Sequence, residues 1–504
     1  MGTMGQGRWD LVFPSGAPER VGDMFATAVV ADAVRGYDAD LAQTVETCRD
    51  WNRRYRTIFR SMTALGACSP AHAAGIAADG LTSARGLLRF VTEYVVAPLD
   101  SFDIDAVRRP EPLDTGRIDG SAAPPTRLEV PYQGTVLADA TLRAQLTDWR
   151  LRGIIEPGFA AAIERVIDHP EWLALPGFRV VVAGAGELAP LRPLLRWGAD
   201  VLAIARPGPA RWRGLEELAR AGAGVLRYPV SPGPRPFDGG PGADITTQFP
   251  ALMHWLRGHL DPAEAGPRPV FGGYANRFGP GGVRLAAAID VLAEDLLLFR
   301  PDAALAVLGS PTDCYAVPES VVADAHQRLR ARGPRRVGQD LLRFLTRSAL
   351  YEPNYTLRLT DEAGAHWSVA DAMMPAQGPN HVLAQRIQRW RGVLAHSSGR
   401  VVSCNVAPLI WTRNLIAQPR LTAAYRSAHR FGIEIFETET ARTLLAAKLV
   451  ADLCAPPTDP EVDPEGLFAL GAAHGGLWRQ PFEPRSVLPI AALSGRLRSR
   501  FGRG

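Results

Sequence analysis

An α/β fold, built on a doubly wound, mostly parallel sheet and preceded by a helical N-terminal region, is what this chain of 504 residues predicts. Three observations carry that expectation. From about residue 178 onward, short apolar runs alternate with stretches of helical periodicity, the pattern of parallel strands joined by crossover helices. A glycine turn, Gly184-Ala185-Gly186, stands directly at the end of the first of these runs, Val180-Val181-Val182-Ala183. Residues 20–98 are instead rich in Ala, Leu and Arg, with Leu87, Leu88, Phe90, Val91, Tyr94 and Val95 recurring on helical faces.

In chain order, residues 1–130 are expected to be a helical region followed by a Pro-rich linker. Arg108-Arg109-Pro110-Glu111-Pro112 and Ser121-Ala122-Ala123-Pro124-Pro125 cannot hold a helix together. Helical patterns near 138–152 and 157–168 make a connector over 131–176. The sheet domain then spans 177–455. Its strands are expected near 178–183, 200–205, 224–227, 268–271, 303–308 and 400–404. Its helices are expected near 188–197, 209–221, 248–260, 282–298, 318–332, 380–395 and 437–454. An insertion at 335–379, containing Tyr351-Glu352-Pro353-Asn354-Tyr355, breaks the rhythm and reads equally as a substrate-side lid or a surface excursion. Residues 456–504 form a C-terminal extension of little periodicity, although His474-Gly475-Gly476-Leu477-Trp478 is too apolar to be free in water.

Composition narrows the chemistry. The chain is 46% hydrophobic and 21% charged, ordinary globular values that at this length imply two or three domains. A net charge of +4 gives no case for nucleic acid, and Arg496, Arg498, Arg500 and Arg503 read as a solvated, frayed terminus. Only one of the 56 basic residues, Lys448, is a lysine, so a Gly-Lys-Ser/Thr phosphate loop is excluded and any Schiff base would need Lys448 itself. That residue lies in a helical pattern and is expected to be solvated. Five scattered cysteines without a Cys-x-x-Cys pair support neither a zinc knuckle nor a disulfide framework. There is no apolar stretch of about 18 residues and no leader-like start. A cytoplasmic protein with a small-molecule substrate and no membrane partner is expected.

The glycine turn carries the cofactor assignment. Gly184 permits a tight turn, Gly186 lets backbone approach a pyrophosphate, and Ala189 lets the next helix pack closely on the sheet with its N–H groups toward phosphate. A second strand, Asp200-Val201-Leu202-Ala203-Ile204-Ala205, is closed by Arg206, 22 positions after Gly184. This is a Rossmann-type context. An acidic residue at that position accepts from a ribose 2′-hydroxyl, whereas Arg206, followed by Arg211 and Arg213, favours the 2′-phosphate of NADP(H) over NAD(H). FAD and S-adenosylmethionine sites would want the acid.

The stretch 380–436 resembles the second half of a short-chain dehydrogenase/reductase. A long helix ends at Ser397-Ser398-Gly399, the strand Arg400-Val401-Val402-Ser403-Cys404-Asn405 follows, and Tyr425-Arg426-Ser427-Ala428-His429 lies beyond it. The resemblance implies that Ser403 orients a substrate carbonyl and that Tyr425 handles the proton. The family's Tyr-x-x-x-Lys is missing, because position 429 is histidine. A protonated His429 would lower the Tyr425 pKa by the same Coulomb logic.

Further candidates follow other strands: Tyr274, Asn276 and Arg277; Ser310, Asp313 and Tyr315; and His381, with Asn380 as a helix N-cap. His254 and His259 are five apart and do not share a helical face, so no metal is expected. The function these residues imply is an NADP(H)-dependent oxidoreductase acting on a carbonyl or alcohol of a small organic molecule. The alternatives are a non-catalytic nucleotide-binding sensor or scaffold, or an epimerase or lyase that retains its nicotinamide.

Overall fold

The structure, a computed structural model, describes residues 9–14, 21–92, 95–106, 110–231, 240–262, 266–374, 377–412, 418–456 and 464–501. Tyr94, Arg108, Arg109, Pro457, Arg503 and the side chains of Arg498 and Arg500 lie outside them. Six parallel strands run through the centre: β1 Phe178–Ala183, β2 Asp200–Ile204, β3 Val225–Ser231, β4 Arg268–Gly273, β5 Ala304–Gly309 and β6 Val402–Val406. Their order across the sheet is 3-2-1-4-5-6, and every neighbouring pair is parallel. The sheet is open, and the antiparallel strands Asp114–Asp119 and Gly240–Pro241 pair along β3.

β1 and β2 are buried on both faces, which is why they read as continuous apolar runs without alternation. Successive side chains feed two cores. Val181, Ala183, Leu202, Ile204 and Phe271 enter one, and Val180, Val182, Val201, Ala203 and Val270 enter the other. The helices that join β1 to β2 and β2 to β3, Leu191–Trp197 and Pro209–Ala221, pack in the second core. Those that lead to β4, β5 and β6, namely Phe249–His259, Pro280–Phe299 and Pro379–Ser397, pack in the first. The crossovers therefore change face between β1 and β4. The N-terminal helices Val21–Arg35, Trp51–Gly66 and Pro70–Leu87 extend the first core, and Gly80 is pressed so closely on Trp390 that a Cβ there would come within 2.6 Å of the indole.

Departures from expectation have local causes. The helix after the glycine turn begins at Leu191 rather than 188, because residues 187–190 form an extra turn. Asp114–Asp119, in the region expected as linker, is an edge strand whose partner, β3, is distant in sequence. The N-terminal helix ends at Leu87, and Arg89–Val91 pairs with Asp10–Val12. The insertion holds the helix Pro334–Leu345, and its strands Leu359–Thr360 and His366–Asp371 join Cys314–Pro318 in a small antiparallel sheet. The C-terminal extension contains the helix Pro484–Phe501, whose internal Pro489 weakens the periodic signal. Among the described residues no helix is long and apolar enough to cross a membrane.

Candidate functional site

The two turns that leave β1 and β4 clasp each other. Gly184, at φ 106°, donates its N–H to the Ile204 carbonyl, and the Ala183 carbonyl accepts from both Tyr274 and Ala275 at 2.8 and 2.9 Å. A Cβ on Gly184 would lie 2.3 Å from the Ala275 nitrogen, so this glycine is required by the neighbouring turn. Gly186 is looser, with a Cβ meeting only the Tyr274 carbonyl at 3.1 Å. Ala189 is buried in the extra turn and donates to the Gly186 carbonyl at 3.2 Å. It therefore does not seat a helix start against the turn, as the sequence suggested.

Above these turns opens a cavity of about 1540 Å³. Its floor comes from the carboxyl ends of the strands: Gly186–Ala189 after β1, Tyr274–Asn276 after β4, Gly309–Thr312 after β5 and Ala407–Ile410 after β6. Its walls are mainly apolar, with Leu421, Ala424 and Tyr425 from the Pro419–Ser427 helix facing Val487, Leu488 and Leu493 from Pro484–Phe501.

A small polar group interrupts this lining. Ser310 directly follows β5, and its N–H donates to the Gln385 side-chain oxygen at 3.1 Å while its hydroxyl bonds Thr312 at 2.9 Å. Four positions before Gln385, on the same face of the Pro379–Ser397 helix, His381 lines the cavity. Its Nε2 is 3.2 Å from the Gln377 amide nitrogen, its ring stacks on Phe278, and its buried Nδ1 has no hydrogen-bond partner. Burial lowers the His381 pKa below the usual imidazole value, against an opposing pull from Asp313. Beneath the floor, Arg389 donates to Asp313 at 3.0 Å and to Glu465 at 2.8 Å, fixing the loop that carries Ser310.

The other candidates are dispersed. Ser403 is the second residue of β6, fully buried, and donates to Asp452 at 2.7 Å. Asp452 in turn accepts from Lys448 at 2.6 Å. Lys448 is thus buried, not solvated as its helical pattern suggested, because it faces the sheet side of its helix. Tyr425 lines the cavity wall, 5.7 Å from Trp411 in an edge contact, and burial pushes its phenol up to about 12. His429 is exposed and lines no part of the cavity. Tyr274 lies on the floor with its ring over Gly272, and burial raises its pKa as well. Asp313 and Tyr315 are buried below the rim; the Tyr315 hydroxyl donates to the Ser310 carbonyl at 2.7 Å. Asn380 does not cap its helix: Gly378 occupies the N-cap and Pro379 the first turn.

Arg206 lies outside the cavity lining, half-exposed, with Nε 3.4 Å from the Asp244 carboxylate. Gln385 was not legible as a site residue. Its signal was the His-x-x-x-Gln spacing just after Gly378-Pro379, at the start of the helix that leads into β6. No family model matches the chain, and no curated protein matches it.

Proposed function

We propose that the chain is a Rossmann-type, NADP(H)-dependent oxidoreductase that acts on a carbonyl or alcohol group of a small organic molecule. The observation that carries this reading is where the cavity lies. It opens at the carboxyl ends of β1, β4, β5 and β6, at the point where the crossovers change face, the place where open parallel sheets bind ligands. The 3-2-1-4-5-6 strand order supports the Rossmann-type assignment.

The residues present fit the cofactor in part. Gly186 leaves a space at the cavity edge that a side chain would fill, whereas the space at Gly184 is already taken by Ala275. Gly186 would let the backbone approach the pyrophosphate, Tyr274 would reach the nicotinamide end and Arg206 would hold the 2′-phosphate, giving up a half-exposed ion pair worth about 0–1 kcal/mol. The cofactor supplies or accepts hydride. On the protein side, the Ser310 hydroxyl orients the substrate oxygen, and neutral His381 accepts the proton when an alcohol is oxidised. Ser310 and His381 thus take the roles that the sequence resemblance gave to Ser403 and Tyr425. Gln385 carries no charge, so the proton step rests on an imidazole kept neutral by burial.

NADPH and NADH titration of the full chain, followed by a hydride-transfer assay over carbonyl and alcohol substrates, tests the reading. Arg206→Ala should weaken NADPH about tenfold and leave NADH unchanged, as expected for one charge-assisted bond. His381→Asn should retain NADPH but lose turnover by about 100-fold or more. A chain that binds neither nucleotide would refute the proposal. The uncharged Gln385 favours a second reading, a nucleotide-binding protein without turnover, which predicts NADPH binding and no hydride transfer in wild type.

A further inference from the structure

The helix Pro334–Leu345 has no buried residue, although five of its 12 residues are large and apolar. Phe344 is 80% exposed, Val337 72%, Leu345 66% and Leu341 58%, with Leu342 beside them. At 100° per residue these five fall on one face, and Arg335, Gln339, Arg343, Arg336 and Asp340 fill the other. Single exposed apolar side chains are ordinary; five aligned on one short helix form a patch that water disfavours and that marks an interaction surface.

The helix also has a defined address. Arg332, just before it, and Tyr351, just after it, both line the large cavity. The Arg332 guanidinium lies 5.1 Å from the Phe482 ring centroid, and Tyr351 meets the same ring edge-on at 5.0 Å. Both ends of the exposed helix are thereby tied to the wall of an apolar cavity.

We infer that Pro334–Leu345 docks the protein on an anionic lipid surface. A helix with an apolar face, a polar face rich in arginine and low mean hydropathy lies in the plane of a bilayer interface, with its apolar side among the acyl chains and its cations at the headgroups. Three arginines on the polar face against one aspartate, which pairs with Arg336 at 3.5 Å, and Arg330 just upstream supply the charge complementary to acidic phospholipid. At about 18 Å long the helix cannot span a bilayer; it lies on one. This departs from the expectation of no membrane partner. It also brings the mouth of the cavity to the lipid, so that under the oxidoreductase reading the substrate is an apolar molecule dissolved in the membrane. The docking itself does not depend on that reading.

Co-sedimentation of the full chain with vesicles tests it, without cofactor or substrate. The protein should pellet with phosphatidylcholine vesicles that contain phosphatidylglycerol, remain in solution with phosphatidylcholine alone, and be released by salt. Leu341→Ser/Phe344→Ser should weaken binding at least tenfold, because two exposed side chains no longer enter the acyl region. Arg335→Gln and Arg336→Gln should each weaken it about fivefold. Leu151→Ser, at another exposed leucine, should leave it unchanged. All these positions face solvent, so thermal melting should match wild type and loss of binding cannot be ascribed to unfolding. Equal binding to both vesicle types, or to neither, would overturn the proposal. So would a dimer in vesicle-free sedimentation that Leu341→Ser/Phe344→Ser disperses, since a second copy would then cover the face. NADPH titration separates these outcomes from failure of the oxidoreductase reading, because it reads a site the helix does not form.

Discussion

Ser403 and Lys448 show how far a side chain's role depends on which way its strand or helix faces. Both belong to one buried network in which Asp452 accepts from the Ser403 hydroxyl and from the Lys448 ammonium. Removing either partner has a different cost. Lys448→Ala leaves a buried carboxylate without its cation and should destabilise the protein by about 3–5 kcal/mol. Ser403→Ala removes one hydrogen bond to a group that keeps its cation, and should cost about 1–3 kcal/mol. His429→Ala, at an exposed position, should fall within about 0.5 kcal/mol of wild type. Denaturant midpoints measure all three, and a Lys448→Ala midpoint equal to that of His429→Ala would contradict the buried network. None of this was legible beforehand. A lysine in an Ala/Leu-rich helical pattern gives no sign of which face it occupies, and Ser403 differs from a strand-ending serine only in the register of β6.

Between elements, contacts are fixed by shape and by charge, and each can be tested separately. Gly80 on the Pro70–Leu87 helix admits the Trp390 ring, and a side chain there meets its carbons at 2.6 Å. Gly80→Val should therefore lower stability by about 1–3 kcal/mol through overpacking. Gly214, on the exposed side of Pro209–Ala221 with open space around it, should gain up to about 1 kcal/mol on Gly214→Ala. Opposite signs at two helical glycines, read from urea melts, are the expected result. Charge secures the wall beside the cavity. Glu156, at the start of Pro157–Asp168, accepts from His474 at 2.8 Å and Arg479 at 2.6 Å. Burial disfavours its ionisation, yet these bonds prevail and hold the carboxyl at about 2, below its usual 4.5. Because the folded-state pKa is depressed, the stability this carboxylate confers is complete above pH 4.5 and drains away as pH falls toward 2. Glu156→Gln should lower stability at neutral pH and flatten its decline over that window; an unchanged acid slope would rule out this carboxylate as its source.

Across the whole molecule, the parallel sheet was legible because both faces of β1, β2, β4 and β5 are covered, and a strand buried on both sides writes itself as a mainly apolar run. Asp114–Asp119 was not, since it lies at an edge and its pattern is polar. The site was only partly legible: Gly186, Tyr274, Tyr425, Ser310 and His381 do meet at one cavity, but their meeting depends on the order of strands, which no local pattern records. The N-terminal region also has a different standing from the one its composition suggested. Val29, Phe59 and Leu81 belong to the same continuous core as Leu292, Ile387 and Trp390, and Arg85 donates to Asp290 at 2.9 Å, beside the Arg391 bond to the same carboxylate at 2.6 Å. The helices behind β4, β5 and β6 are thus covered by residues 21–87, and a chain lacking that cover would expose Trp390 and the apolar faces of Pro280–Phe299 and Pro379–Ser397 to water. A fragment starting at Pro110 should consequently be recovered aggregated, or as an expanded species without a cooperative thermal transition, while the full chain melts in one step. Size-exclusion chromatography and circular dichroism on the two proteins decide the matter, and a monodisperse, cooperatively melting fragment would show that the sheet domain folds without its N-terminal cover.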